Sequence, residues 1–176
     1  MGNSGIDLVN ATVTEMSELL RTRKVSPVEL VEATLQRIED VAPKLNCFVT
    51  VTGDYALERA KEAERDIGAG KYRGPMHGIT YTLKDGIDTK GIRSTHGNPQ
   101  GLDLKPRVSS TTHTLIEEAG SILVGKVKID VRAFHSSDTA KNRPVSCVNP
   151  WDTNVSPRTS SSGSGSATAA SLCLSS

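Results

Sequence analysis

The segment from Ser26 to Pro43 has the features of an amphipathic helix and is the strongest structural signal in the sequence. Ser26 and Glu29 have the spacing of a capping box, and Pro27 stands at the first helical position, where a missing N–H group costs little. Apolar residues then recur three and four positions apart, which predicts one buried face. That face consists of Val28, Val31, Leu35, Ile38 and Ala42. We expect the helix to end at Pro43.

Shorter helical and strand-like segments alternate along the rest of the chain. Three helices are predicted from capping residues, over about residues 12–23, 55–67 and 110–119. Their N-caps are Thr12, Asp54, and either Ser109 or Ser110. Apolar, β-rich runs predict strands at residues 46–52, 78–83 and 122–124. This alternation favours an α/β fold with a largely parallel or mixed sheet.

Composition excludes several classes of function. The formal net charge is +1, so no basic excess exists to neutralise nucleic-acid phosphates. No apolar run is long enough to span a bilayer, and the first residues lack the basic and apolar regions of a signal peptide. The sequence therefore predicts a protein of the cytoplasm that binds neither nucleic acid nor membrane.

Cysteine and histidine patterns give no sign of a metal site or a disulfide framework. The three cysteines, Cys47, Cys147 and Cys173, are far apart and include no C-x-x-C pair. The four histidines share no spacing typical of metal ligands. We expect the cysteines to be small buried residues, and we predict neither a metal nor another cofactor.

The run from Gly120 to Lys126 matches the first part of a phosphate-binding loop, G-x-x-x-x-G-K. The next position, which needs Ser or Thr to hold Mg²⁺, is Val127. The residues between the glycines are also strand-like, whereas a phosphate-binding loop is a glycine-rich turn. We therefore do not assign a nucleotide site here.

The last part of the chain is rich in serine, with nine serines among the 21 residues from Ser156 to Ser176. A flexible Gly/Ser linker is one interpretation. The other is a functional loop, because Ala167 to Leu172 is a good helix sequence directly behind the Ser/Gly run. Such a loop can bring backbone N–H groups close to a reacting group. Composition alone leaves both interpretations open.

Lys84 stands at the end of an apolar strand and is followed by Asp85. A lysine at the edge of a core can lose its charge by desolvation and become a base near neutral pH. The alternative, which spacing alone favours, is a surface lysine paired with Asp85.

Several segments together resemble the amidase signature family, whose members hydrolyse amides or transfer ammonia from them. The segments are GPMHGITYTLKDGIDTKGIRSTHG, AGSILVGKVKID, NPWDTNVSPRTSSSGSGSATAAS and, near the start, SPVELVEATLQRIE with LNCFVTV. The resemblance covers nearly the whole chain in the family's order. It implies an α/β/α fold around a mixed sheet, with residues 1–176 as the N-terminal part of a single amidase signature domain, incomplete at its C-terminal side.

The resemblance also implies a mechanism and its residues. The family uses a Ser–Ser–Lys triad, in which a neutral lysine takes a proton through a bridging serine held by a cis peptide, and a second serine attacks the amide. Here the lysine corresponds to Lys84 and the bridging serine to Ser160, or to Ser161 if the register shifts by one residue. The family's two glycines before that serine are replaced by Arg158 and Thr159.

The resemblance places the nucleophilic serine in a later Gly-Gly-Ser segment, after Ser176. The expected function is amide hydrolysis, on a small-molecule amide that the sequence does not specify, with the present chain lacking the nucleophile and inactive alone. The alternatives are an inactive amidase-like module used for binding or assembly, and a component of an amidotransferase complex. A chain ending here would expose apolar strand edges, so homo-oligomerisation is a further expectation.

Overall fold

The computed structural model describes residues 7–97, 103–129, 147–157 and 159–176. Five helices and three strands are found in these residues. In chain order they are α1 (Val13–Arg21), α2 (Pro27–Leu45), β1 (Phe48–Val51), α3 (Gly53–Gly68), β2 (Thr80–Lys84), α4 (Thr111–Glu118), β3 (Ile122–Val127) and α5 (Ser162–Ala169). The alternation confirms the predicted α/β class.

The three strands form one mixed sheet in the order β1-β3-β2. β3 lies in the centre, antiparallel to β1 and parallel to β2, and all six of its residues are buried. Residues 174–175 add to the other edge of β2, where the Thr82 N–H donates to the Ser175 carbonyl at 3.0 Å and the Leu174 N–H donates to the Thr80 carbonyl at 3.2 Å. Helices cover both faces of this central strand, which explains why the β3 run is apolar through most of its length.

Helices cover both faces of the sheet. The main core packs apolar side chains of α2, α3 and α5 against Ile122, Val124 and Val127 of β3. A smaller cluster on the opposite face contains Tyr81, Leu83 and Leu123, with Ile116 of α4 packed against it. A third cluster joins α1 to the first turn of α2. Side chains that alternate between the two faces explain this division. The β2–β3 register shifts at Val124, which has no partner in β2, and this irregularity lets Val124 and Val127 face the same side.

Three of the four predicted helix caps, at Thr12, Ser26 and Ser110, are found in the structure. The capping boxes of Thr12 with Glu15 and of Ser26 with Glu29 are both formed. Ser110, rather than Ser109, caps α4 by accepting a hydrogen bond from the His113 N–H group. These signals succeed because every partner lies within one helical turn.

The predicted end of α2 and the predicted start of α3 are wrong. Helix α2 continues through Pro43 to Leu45, because Leu45 is only 4% exposed and its burial offsets the missing hydrogen bond of the proline. Asp54 does not cap α3, which begins at Gly53 after the N-cap Thr52. The Thr52 N–H and hydroxyl donate to the carbonyls of Val124 and Leu123, so pairing with β3 determines where this helix begins.

All three cysteines are buried and free, as predicted. Burial raises the pKa of the Cys47 thiol to about 12.

Residues 149–152 form a tight turn in which the Asn149 side-chain oxygen accepts a hydrogen bond from the Trp151 N–H group at 3.0 Å. Within the described residues, no helix combines the length and the apolar character that a bilayer crossing requires.

We predict that Ser26→Ala lowers the free energy of unfolding by about 1 kcal/mol, because the Glu29 N–H group loses its side-chain acceptor. Chemical denaturation would measure the change. Ser26→Thr is the matched control, since it keeps the hydroxyl and should stay near wild type. Equal stability of Ser26→Ala and Ser26→Thr would contradict the capping role.

Candidate functional site

Lys84 and two serines that are distant in sequence come together at one end of the sheet. The Lys84 amine donates to the Ser160 hydroxyl oxygen at 3.0 Å and to the Ser161 hydroxyl oxygen at 3.1 Å. Lys84 and both serines are partly exposed. The structure thus brings the lysine that the sequence singled out within hydrogen-bonding distance of both candidate serines.

The last residue of β2 positions the lysine. Lys84 pairs with Val127 in the parallel ladder, and the next N–H group, that of Asp85, donates to the Val127 carbonyl at 2.9 Å. The carboxyl ends of β2 and β3 therefore lie side by side. In α/β folds with parallel strands, this end of the sheet is where ligands commonly bind.

The start of α5 positions the serines. The Gly163 N–H group donates to the Lys128 carbonyl at 3.1 Å, so the first turn of the helix lies on the backbone that leaves β3. A Cβ atom on Gly163 would overlap the Lys128 backbone nitrogen and come within 2.6 Å of its carbonyl oxygen. Only a glycine at this position lets the helix approach so closely.

The predicted helix within the serine-rich tail begins earlier than expected, at Ser162 rather than Ala167. The linker interpretation is wrong for this segment, because the Ser/Gly residues form the first turn of a packed helix. Ser166 shows the reason: its side chain is fully buried, and its hydroxyl donates to the Val148 carbonyl. Such tertiary contacts are not visible in composition.

Ser161 is the N-cap residue of α5, yet its side chain makes no capping hydrogen bond. Its hydroxyl oxygen faces the Lys84 amine instead. An N-cap serine usually satisfies a free backbone N–H group of the first turn. At this helix start the Ser161 hydroxyl contacts the lysine amine instead, which is unusual for a serine whose only role is to cap a helix.

Asp85 does not form the surface ion pair that spacing favoured. Its carboxylate is fully buried and accepts hydrogen bonds from the Thr95 N–H at 3.0 Å, from the Thr95 hydroxyl at 2.5 Å and from the Gly97 N–H at 3.2 Å. The interpretation of Lys84 as a surface lysine paired with Asp85 is therefore wrong. The aspartate anchors the loop after β2, and the lysine faces the serines.

Sequence reasoning missed one charged residue, Lys126. It lies in β3 and is fully buried, and its amine donates to the Ile87 carbonyl at 2.6 Å and to the Ser94 hydroxyl oxygen at 2.7 Å. Burial lowers its pKa to about 8. The sequence feature that could have identified it is the G-x-x-x-x-G-K run, in which this lysine is the last residue. Most of that run forms β3, and it is not a phosphate-binding loop.

The geometry allows proton transfer between an amine and two hydroxyl groups. A lysine that is neutral can accept a proton through a hydroxyl within hydrogen-bonding distance, and either serine meets that condition. Peptide bonds are trans throughout the described residues, including the one that joins Thr159 to Ser160, so the cis geometry implied by the resemblance is not seen there. Arg158, the other replaced glycine position, lies outside the described residues.

No group of three or more His, Cys, Asp or Glu side chains that could hold a metal occurs in the part of the chain that the structure describes. The described histidines serve other contacts. Buried His113, for example, is hydrogen-bonded to the Tyr81 hydroxyl at 2.8 Å.

Comparison with known proteins gives consistent matches. A family model described as Amidase matches residues 29–176. A glutamyl-tRNA(Gln) amidotransferase subunit from Geobacter sp. (strain M21) is 38% identical over 165 residues, which are 94% of this chain and 34% of that protein. The chain thus spans about a third of the length of this curated relative.

Two solved structures share the fold. Native peptide amidase from Stenotrophomonas maltophilia matches with a TM-score of 0.83 at 27% identity, over 95% of this chain and 35% of that one. A bacterial aryl acylamidase of the amidase signature enzymes family matches with a TM-score of 0.81 at 28% identity, over 93% of this chain and 34% of that one.

The contact between α5 and β3 yields a paired prediction. Gly163→Ala should lower the free energy of unfolding by about 1–3 kcal/mol, because the added methyl group overlaps the Lys128 backbone. Gly165→Ala, in the same helix with open space around it, should be neutral or stabilising by up to about 1 kcal/mol. Thermal denaturation of both variants provides the measurement, and equal effects would contradict the close approach.

Proposed function

This chain belongs to the amidase signature family, and we propose on that basis that it is part of an enzyme that cleaves amide bonds through an acyl-enzyme. In this proposal, residues 1–176 are the N-terminal part of a single amidase signature domain. Lys84 is the base, and Ser160 is the hydroxyl bridge between that base and the nucleophile.

The observation that carries the proposal is the contact of the Lys84 amine with the hydroxyl of Ser160 at 3.0 Å. These side chains are 76 positions apart in sequence and belong to different parts of the fold. Asp85, the nearest acid in sequence, directs its carboxylate to Thr95 and Gly97 instead. The lysine is therefore oriented towards hydroxyl groups, as a base that works through a serine must be.

The proposed proton path conserves every proton. As a nucleophilic hydroxyl attacks the amide carbon, its proton passes to Ser160, and the Ser160 proton passes to the neutral Lys84 amine. The same path in reverse delivers a proton to the leaving nitrogen. Ser162 is no candidate for the nucleophile because its side chain is fully buried. Residues 1–176 correspond to about a third of the relatives' length. We propose that the nucleophile is a serine in the remaining part of the domain, which these residues do not include.

The substrate class proposed is a small-molecule amide, and the proposed location is the cytoplasm. The three buried, free cysteines support a reducing compartment. The near-neutral charge offers no electrostatic attraction to nucleic acid.

We also propose that copies of the protein can associate. Val51 of the edge strand β1 is 47% exposed, which supports this proposal.

A second candidate function is that of an amidotransferase subunit. It is favoured by the 38% identity with the glutamyl-tRNA(Gln) amidotransferase subunit from Geobacter. The two functions differ in their partners, since the second requires assembly into a complex. Purification of the tagged protein from its native source, followed by mass spectrometry of stoichiometric partners, would separate them. Reproducible partner proteins would favour the second function, and a protein isolated alone with amidase activity would favour the first.

We predict that Lys84→Ala, in the full-length product of the gene that encodes these residues, lowers kcat/KM for a chromogenic aryl amide by about 10²–10⁴-fold, because the base is lost. The matched control is Lys90→Ala, which removes an exposed lysine six positions later and should keep wild-type activity. Circular dichroism would verify that both variants fold. Undiminished turnover by Lys84→Ala would refute the proposed role.

The two serines can be distinguished in the same assay. We expect Ser160→Ala to lose activity to a similar extent as Lys84→Ala, because the bridge is lost, while Ser161→Ala retains most of it. The reverse pattern would move the bridge to Ser161, whose hydroxyl oxygen lies 3.1 Å from the same amine. The 176-residue chain alone is expected to show no turnover.

A further inference from the structure

Lys126 is a fully buried lysine that does not contact the candidate site. In the parallel ladder it pairs with Leu83, whereas Lys84 pairs with Val127. Because neighbouring residues of a strand point to opposite faces, the side chains of Lys126 and Lys84 lie on opposite faces of the sheet. A buried charge is expensive, and an apolar side chain of similar size would usually cost less here. Its presence therefore calls for a physical explanation.

The hydrogen bonds of Lys126 lead back to Lys84. The Lys126 amine donates to the Ile87 carbonyl, and the Ile87 N–H group donates to the Lys84 carbonyl at 2.9 Å, which closes a tight turn directly after β2. The same amine donates to the Ser94 hydroxyl oxygen. One ammonium group thus ties the turn that begins at Lys84 to a later part of the same loop.

The carboxylate of Asp85 completes this arrangement. It holds the Thr95 and Gly97 N–H groups, so the loop after β2 is fastened both by an anion at its start and by a cation from β3. Asp85 and Asp88 both act electrostatically on Lys126 in the direction that favours its charged form. The buried polar groups are mutually satisfied, which is the condition under which such a network rigidifies its surroundings.

We propose that Lys126 is a positioning residue for Lys84: by holding the turn at residues 84–87, it keeps the Lys84 amine within hydrogen-bonding distance of Ser160 and Ser161. The catalytic importance of this positioning rests on the proposed function, but the positioning itself does not. An unrestrained turn would let the lysine side chain leave the serines for solvent.

The test uses two readouts that need no substrate. In the full-length protein, Lys126→Met removes the ammonium group but keeps a side chain of similar volume. We expect acetylation of the Lys84 amine by acetic anhydride, followed by mass spectrometry, to become about fivefold faster, as the loss of a net hydrogen bond predicts. Hydrogen exchange of the Ile87 amide should accelerate alongside it.

Two controls separate positioning from general loss of stability. Amides in the centre of α2 should exchange at the wild-type rate, since neither hydrogen bond of the Lys126 amine reaches that helix. Lys128→Met, which removes a lysine two positions later whose amine bonds to the Asn46 side chain, should leave Lys84 acetylation unchanged. Unchanged Lys84 acetylation in Lys126→Met would overturn the proposal.

A milder variant keeps the test decisive if Lys126→Met fails to fold. Ser94→Ala removes one of the two acceptors and leaves the lysine in place, so a smaller acceleration of both readouts is expected. If neither readout accelerates in this variant, the proposal is overturned. The outcome is independent of amide turnover. If Lys84→Ala keeps full activity while Lys126→Met accelerates acetylation, the positioning stands and the proposed function falls.

Discussion

The pairing of β3 with strands on both sides is the interaction on which the candidate site depends. The parallel ladder between β3 and β2 determines where Lys84 lies along the sheet. The first turn of α5 packs on the backbone at Lys128, directly after β3. The positions of Lys84 and of the serines at the start of α5 therefore both depend on one buried strand. Movement of β3 relative to either neighbour would separate the lysine from the serines, although neither belongs to β3 itself.

Close backbone packing at Gly163 provides the second constraint. Hydrogen bonds between a helix start and the end of a strand require the two backbones to approach without a side chain between them. This approach explains why a serine- and glycine-rich segment can form a packed helix even though its residues have modest helix propensity. The small side chains permit the contact, and the contact in turn orders Ser160 and Ser161 in front of Lys84.

Polar groups near the end of β2 are divided between two tasks. Lys84 is partly exposed and bonds to hydroxyl groups, while Asp85 and Lys126 are buried and bond to the loop that follows. Lys84, the last residue of β2, and Asp85, the first residue after it, thus have different partners. The expected Lys84–Asp85 ion pair does not form because the Asp85 carboxylate accepts hydrogen bonds from Thr95 and Gly97, while the lysine amine bonds to the serines.

The sequence by itself determined the features whose causes lie within a few residues. Capping boxes at Thr12 and Ser26, the apolar face of α2 and the α/β alternation were all predicted, because each depends on contacts within a helical turn or on a local period. The resemblance to a family further singled out Lys84 and Ser160. Tertiary structure alone decided the end of α2 at Leu45, the helix start at Ser162 and the buried role of Lys126. Those outcomes depend on packing between segments far apart in the chain, and no local pattern records the free energy of such contacts.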